Sequence, residues 1–260
     1  MAATGRHRHG VGVELRGVRK TYNGHAVLRG VDLVVEAGEL LAIVGQSGTG
    51  KSVLLRQIIG LEEIDAGEII VGGIALDRYR AMPHDEKSFR VTMVFQNAAL
   101  LGSLTVGENV GLRLRERGGQ SAAEIAALIH RVLEQVELAG TEARLPSELS
   151  GGMRKRVAIA RALAIDPELI LYDEPTADLD PLLTEQIGHL IQRIRNARGA
   201  TQIVVTHNLP LARAIADRIA VLAEGRIAEC LTPAELPHAR HPLTRAFLRA
   251  SALEAQEVSC

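Results

Sequence analysis

The stretch Gly45-Gln46-Ser47-Gly48-Thr49-Gly50-Lys51-Ser52 constrains this chain more than any other part of it. It lies between the apolar run Leu40-Leu41-Ala42-Ile43-Val44 and a helix-like segment, Val53 to Ile59. Three glycines within six positions let the backbone turn its N–H groups inward, where side chains would block a triphosphate. A following helix adds the positive end of its dipole and its unpaired amides, which both favour an anion. In the spacing GxxxxGK[ST], Lys51 reaches the β- and γ-phosphates and the Ser52 hydroxyl ligates Mg²⁺. A strand before and a helix after distinguish such a phosphate loop from an accidental glycine-rich turn.

The remaining composition narrows the setting. A chain of 260 residues, 47% hydrophobic and 23% charged, is long enough for one large or two intimate domains with a real core. Its net charge of −1, with both signs interspersed, argues against a nucleic-acid partner recruited by bulk electrostatics. Cys230 and Cys260 have no metal-ligand spacing and build no disulfide framework, which predicts free thiols in the reducing cytoplasm. No apolar run approaches the roughly 18 residues of a membrane span, and MAATGRHRHG lacks the apolar centre of a signal peptide. Work at a membrane would therefore require docking. Residues 1–10 are predicted to be a disordered leader, with His7 and His9 solvated rather than metal-bound.

Taken in order, residues from Val11 to Val35 predict a hairpin about the turn Asn23-Gly24. Tyr22, in a chain with three Tyr, three Phe and no Trp, either packs that hairpin or stacks on a base. Glu68–Val71 and Gly73–Leu76 read as a second pair of short strands. Val91–Phe95 reads as a buried strand ending at Gln96, which is either a loop residue or a ligand-binding group at a strand end. Ser121 and Glu124 form a capping-box pattern before Ile125, Leu128, Ile129, Val132, Leu133 and Val136, predicting a helix to about Leu138, closed by Gly140. Ser150-Gly151-Gly152 then opens a basic helix. That is a second anion-suited helix end, or else an ordinary capped helix whose Arg154, Lys155, Arg156 and Arg161 are solvated.

Leu169–Tyr172 reads as a strand delivering Asp173 and Glu174 together at its carboxyl end. Two adjacent acids there are costly unless something uses them. A metal held by Asp173 through water, and an attacking water polarised by Glu174, would do so; helix capping is the plainer competitor. Ala177-Asp178-Leu179-Asp180 turns into a helix, and a strand Gln202–Val205 ends at Thr206-His207. His207 is either a satisfied core histidine or a phosphate-facing one. A hairpin about Glu224-Gly225 and a helical segment near Leu243–Leu253 complete the chain.

Gly45–Ser52, Gln96 after VTMVF, LSGGM, LILYDEP, ADLD and His207 occur in the order of motifs in the nucleotide-binding subunits of ABC transporters, which the chain resembles from about Val11 to Cys230. The resemblance implies an α/β fold: a RecA-like P-loop NTPase core with an antiparallel β subdomain and a helical subdomain at about 97–160. It implies an ATPase domain over 11–230 and a helical tail over 231–260. ATP and Mg²⁺ are the implied cofactors. Tyr22 corresponds to the adenine-stacking aromatic, and Gly45, Gln46, Ser47, Gly48, Thr49, Gly50, Lys51, Ser52 and Val53 to the ATP-binding loop. Gln96, Glu174 and His207 correspond to the catalytic group, with Ser52, Gln96 and Asp173 about the metal and His207 contacting the γ-phosphate.

Ser150, Gly151 and Gly152 match the signature that caps the nucleotide of a second copy in a head-to-tail dimer, and Ala177, Asp178, Leu179 and Asp180 match the D-loop. The implied partners are that second copy and a transmembrane permease on the cytoplasmic face of the inner membrane. Met153, the string FQNAALLGSLTVGENV and the tail HPLTRAFLRAS are similar to ATPases of Mce/Mla-type phospholipid transport systems, which implies an Mce-type lipid-binding partner. Asp178 and Gly107 depart from that subfamily's usual residues. Amino-acid, peptide or other small-solute import is the alternative. Soluble ABC proteins acting on DNA or ribosomes usually carry coiled-coil insertions, zinc-binding cysteines or paired cassettes absent from this sequence. Intact Lys51, Asp173, Glu174 and His207 argue against a module that only holds ATP.

Overall fold

A computed structural model describes residues 10–83 and 86–257, so residues 1–9 of the 1–10 leader, with His7 and His9, and Cys260 lie outside the described residues. β1 (Val13–Tyr22) and β2 (His25–Val35) form the expected hairpin, with both Asn23 (φ 47°) and Gly24 (φ 80°) in the left-handed conformation that matches strand twist. β3 (Leu40–Val44) leads into α1 (Lys51–Ile58). β4 (Ala66–Val71) and the very short β5 (Ile74–Ala75) follow, and α2 (Leu76–Ala81) begins where the sequence suggested that β5 continues. β6 (Val91–Val94) precedes the helices α3 (Val106–Arg117), α4 (Ala122–Gln135) and α5 (Gly151–Leu163). β7 (Leu169–Asp173), α6 (Pro181–Arg198), β8 (Thr201–Thr206), α7 (Leu209–Ile215), β9 (Arg218–Ala223), β10 (Arg226–Leu231) and α8 (Pro242–Glu257) complete the order.

Two sheets result. β2-β1-β4-β5 is antiparallel; β10-β9-β3-β8-β7-β6 is parallel except for its edge strand β10. β3, β7 and β8 are buried along their whole length, as strands covered on both faces must be. Alternation decides which face each residue feeds. Leu41, Ile43, Leu169, Leu171, Ile203 and Val205 pack with α1 and the antiparallel sheet, while Ile170, Tyr172 and Val204 pack with α3–α6. Both layers press on one sheet, which holds the carboxyl ends of β3, β7 and β8 side by side.

Besides β5 and α2, elements of the helical region and the helix after β8 differ from the sequence expectation. α4 ends at Gln135 rather than Leu138, and the first left-handed residue past its end is Glu137 (φ 62°), with Gly140 (φ 80°) left-handed three residues further on. Glu137 is held there by Arg156 and Arg193, each at 2.5 Å. α3 and α7 were not anticipated. α3 is opened by a capping box between Thr105 and Glu108. On α3, a Cβ at Gly107 would lie 3.2 Å from the Glu142 carbonyl oxygen and one at Gly111 would lie 2.7 Å from Ile129 Cδ1, so close approach explains the glycine at 107.

The Tyr172 hydroxyl is fully buried and has no hydrogen-bond partner among the described residues. Tyr172→Phe keeps the ring and removes the orphaned group, so stability is expected to rise by about 1 kcal/mol, read as a thermal midpoint higher by roughly 2–4 °C. A lower midpoint would contradict an unsatisfied phenol.

Candidate functional site

The loop after β3 is shaped by close approach. A Cβ at Gly45 would lie 2.3 Å from the carbonyl oxygen of Leu222, and Gly50 caps α1 at φ 98°. α1 starts two residues earlier than the sequence suggested, so Lys51 and Ser52 belong to its first turn. The amides of Lys51, Ser52 and Val53 therefore lack partners within the helix. Lys51 is buried, and its Nζ donates to Gly45 O (2.8 Å) and Gln46 O (2.9 Å). Burial pushes its ammonium pKa down, and the negative charges of Glu174 and Asp173 oppose that shift.

Two acids arrive from β7. Asp173 Oδ1 accepts the Ser52 hydroxyl at 2.6 Å. Burial raises the Asp173 carboxyl above its ordinary range, the Ser52 hydrogen bond counters this, and the charge of Glu174 adds to it. Glu174 follows in a left-handed conformation (φ 46°), with its N–H donating to Val205 O at 2.9 Å. Such a conformation costs a bulky residue about 1–2 kcal/mol and here turns a carboxylate off the strand end. Its Oε2 lies 3.0 Å from His207 Nδ1 and accepts the His207 N–H at 3.3 Å. His207 thus touches Glu174 directly, and neither acid caps a helix.

One cleft of about 680 Å³ gathers Tyr22, Lys51, Ser52, Gln96, Glu174 and His207, within the size range of small-molecule sites. Ser47, Gly48, Gly50 and Val53 also line it, whereas Gln46 and Thr49 face a neighbouring hollow beside α8. Tyr22 is exposed, with the Lys20 ammonium 5.4 Å from its ring centroid, so it does not serve as hairpin core. Ser52, Asp173 and Gln96 are the hard oxygen donors that suit Mg²⁺, a cation typically held by one or two carboxylates plus phosphates. Among the described residues no group of three or more His, Cys, Asp or Glu is set for a resident metal. A cation would thus need the phosphates as co-ligands.

The signature residues stand elsewhere. Ser150 caps α5 by accepting the Met153 N–H at 3.3 Å, and Ser150 and Gly152 line a different cleft with Met153, Arg156 and Leu183. Among the described residues none lines both clefts. Gly151 opens α5 opposite Leu179, Ala177 is buried, and Asp180 caps α6 through the Leu183 N–H at 2.9 Å. Asp178 is left-handed (φ 64°), a conformation that glycine adopts freely and aspartate tolerates better than most residues.

A family model described as ABC transporter matches residues 28–177. The chain belongs to the ABC transporter family. It is 42% identical to the sulfate/thiosulfate import ATP-binding protein CysA of Caulobacter vibrioides over 85% of this chain and 65% of that protein. It is 42% identical to the methionine import ATP-binding protein MetN of the same organism over 84% of this chain and 66% of that protein. It therefore spans about two thirds of the length of these relatives. The L-cystine transport system ATP-binding protein TcyN of Escherichia coli is 40% identical over 91% of this chain and 96% of its own length. The dimeric structure of the ATP-binding cassette MJ0796 in a post-hydrolysis state, bound to ADP and phosphate, superposes with a TM-score of 0.76 at 35% identity, covering 85% of this chain and 98% of that one.

The fold is thus that of an ABC ATPase cassette, an α/β P-loop NTPase with its antiparallel and helical additions. The first two of these relatives carry import in their names and the third transport; none is described as part of an Mce/Mla-type phospholipid system, so the finer kinship expected from Met153 and the 95–110 string is not supported by them. The cassette also holds residues that sequence reasoning passed over. Val27 and Arg56 line the nucleotide-sized cleft; Arg56 was findable, since it follows Ser52 by one helical turn. Lys155 and Arg156, weighed as solvated cations, are buried instead.

Proposed function

We propose that this chain binds and hydrolyses ATP as the energising subunit of an ABC transporter. The observation that carries the reading is the convergence of Lys51, Ser52, Glu174 and His207 from three strand ends on one cleft, with Asp173 hydrogen-bonded to Ser52 behind its lining. The amides of Gly48 and of Gly50–Val53, with the Lys51 ammonium, would cradle the triphosphate, while the Thr49 N–H donates within the loop to the Gln46 carbonyl at 3.4 Å. Tyr22 offers an exposed ring for the base. The Glu174 carboxylate would take a proton from water as that oxygen bonds to the γ-phosphorus and the bond to the β-phosphate oxygen breaks, giving ADP and phosphate. His207 orients that carboxylate. Mg²⁺, held by Ser52, by Gln96 and by Asp173 through water, would neutralise charge on the phosphate oxygens.

The separation of Ser150–Gly152 from this cleft supports a head-to-tail pair, each copy completing the other's site. Among the described residues no helix is long and apolar enough to cross a membrane, so a permease would carry the membrane-spanning part and hold the subunit at the cytoplasmic face. The names of the relatives support uptake of a small solute as cargo. A second reading, phospholipid transport with an Mce-type protein, is favoured by Met153 and by the segments 95–110 and 241–251.

Purified chain is expected to release phosphate from ATP with added Mg²⁺ and to stop on chelation, a loss of about a hundredfold or more. Turnover that persists in chelator would remove the metal from the scheme. Co-purification from membranes decides the cargo class: a permease with a solute-binding protein supports import, an Mce-domain protein supports lipid transport, and recovery on DNA or ribosomes would overturn the transport reading.

A further inference from the structure

The loop that follows Gln96 has an unusual backbone. Ala98 (φ 58°) and Ala99 (φ 48°) are consecutive left-handed residues, and neither is glycine. Left-handed alanines are disfavoured because Cβ crowds the following carbonyl, so something must hold them. Local bonds contribute only the Ala98 N–H to Phe95 O (2.9 Å) and the Ala99 N–H to Asn97 O (2.6 Å). The carbonyls of the loop point the other way, into α5. Lys155 Nζ donates to Gln96 O, and Arg161 donates through Nη2 to Ala98 O at 2.8 Å and through Nη1 to Ala99 O at 2.6 Å. Lys155 is buried at 8% exposure, and burial lowers the pKa of both cations. The buried Lys155 ammonium is stable only when its donors are used, and the half-buried Arg161 guanidinium spans two successive carbonyls of the loop, with its Ala99 bond at the surface.

We propose that Lys155 and Arg161 are positioning residues that staple the 96–99 loop to α5, so that the entry of Gln96 into the nucleotide cleft depends on the position of the helix whose first turn is Ser150–Gly152. α5 is a single thirteen-residue helix with its capped end at Ser150 and its stapling side chains one and three turns further on. A displacement of the Ser150 end, such as a second copy's nucleotide would cause, is carried along the helix to the Gln96 carbonyl. Each cleft thereby reports on the other within one chain. The functional half of this inference rests on the ATPase reading above; the structural half does not.

Hydrogen exchange of the full chain, with turnover and binding of a non-hydrolysable ATP analogue, tests it. Lys155→Met and Arg161→Met are expected to speed exchange of the amides at 97–101 about tenfold or more while β7 amides stay as in the parent. At saturating ATP, turnover should fall about tenfold and analogue affinity should stay within about threefold, because the 45–52 loop is untouched. Lys155→Arg, which keeps the charge, should restore most of both. Ala98→Gly with Ala99→Gly leaves α5 intact, so it guards against variants that misfold; with the staple in place, exchange at 97–101 should remain within about threefold of the parent. Unchanged exchange in the methionine variants, or a tenfold rise in the glycine variant, overturns the staple. Faster exchange with undiminished turnover overturns its link to Gln96. If the parent itself does not hydrolyse ATP, the ATPase reading fails, and the exchange results still decide the staple.

Discussion

Glu174→Gln is expected to lower phosphate release by about 10²–10⁴-fold, the usual worth of a general base, while the variant still binds ATP and accumulates as an ATP-bound dimer. Glutamine is close to isosteric, and its carbonyl can still accept the two His207 donors that Glu174 Oε2 accepts or meets now, at 3.3 and 3.0 Å. The left-handed backbone at this position is no worse for glutamine than for glutamate. Only the capacity to receive a proton is lost. Removal of this charge also relieves Asp173, whose carboxyl Glu174 helps to push up, so the pocket becomes less repulsive towards a triphosphate. Phosphate release and size-exclusion chromatography with ATP read the two halves of the prediction. Hydrolysis at the parental rate would remove Glu174 from the role of base.

Lys51→Ala acts one step earlier, on binding. A charge-assisted hydrogen bond contributes about 1.5–3 kcal/mol, so affinity for an ATP analogue should fall on the order of 10- to 100-fold by calorimetry. The alternative explanation is a collapsed loop, because Lys51 Nζ also closes the carbonyls of Gly45 and Gln46. Gln46 is exposed, so water replaces the ammonium at its carbonyl, whereas the Gly45 bond is buried and its loss costs about 1–3 kcal/mol, so the thermal midpoint should fall by several degrees without collapse. Unchanged affinity would overturn the phosphate-cradle reading; lost affinity with a collapsed midpoint would assign Lys51 to the fold.

Legibility in the sequence followed the range of the interactions. The Asn23-Gly24 turn, the Ser121–Glu124 capping box and the apolar runs of β3, β7 and β8 were readable because each depends on residues a few positions apart. α3 carried an equally local signal, Thr105 with Glu108, but its start is disguised by glycines at 107 and 111 that lower helix propensity. Those glycines serve contacts with Glu142 and Ile129, which no local pattern contains. Buried Asn109, donating to the carbonyls of Leu101, Leu104 and Thr105 and accepting the Leu101 N–H, is likewise invisible before the loop folds over it. The end of α4 was misplaced for the same reason. Gly140 is the better intrinsic stop, yet Arg156 and Arg193, from α5 and α6, hold Glu137 in the left-handed position.

By itself the sequence determined the parts of the site: a glycine loop before a helix, paired acids at a strand end, a histidine at another and a second capped helix end. Each is encoded by neighbours in the chain through turn sterics, capping or burial alternation. Tertiary structure alone decided how the parts meet. The order β3-β8-β7 sets Ser52 against Asp173 across 121 positions of sequence and Glu174 against His207 across 33. It also left Ser150–Gly152 lining another cleft and turned Lys155 and Arg161 inward onto the 96–99 loop. Strand order and helix orientation are set by which apolar faces pack together over long range, and no short-range pattern records that choice.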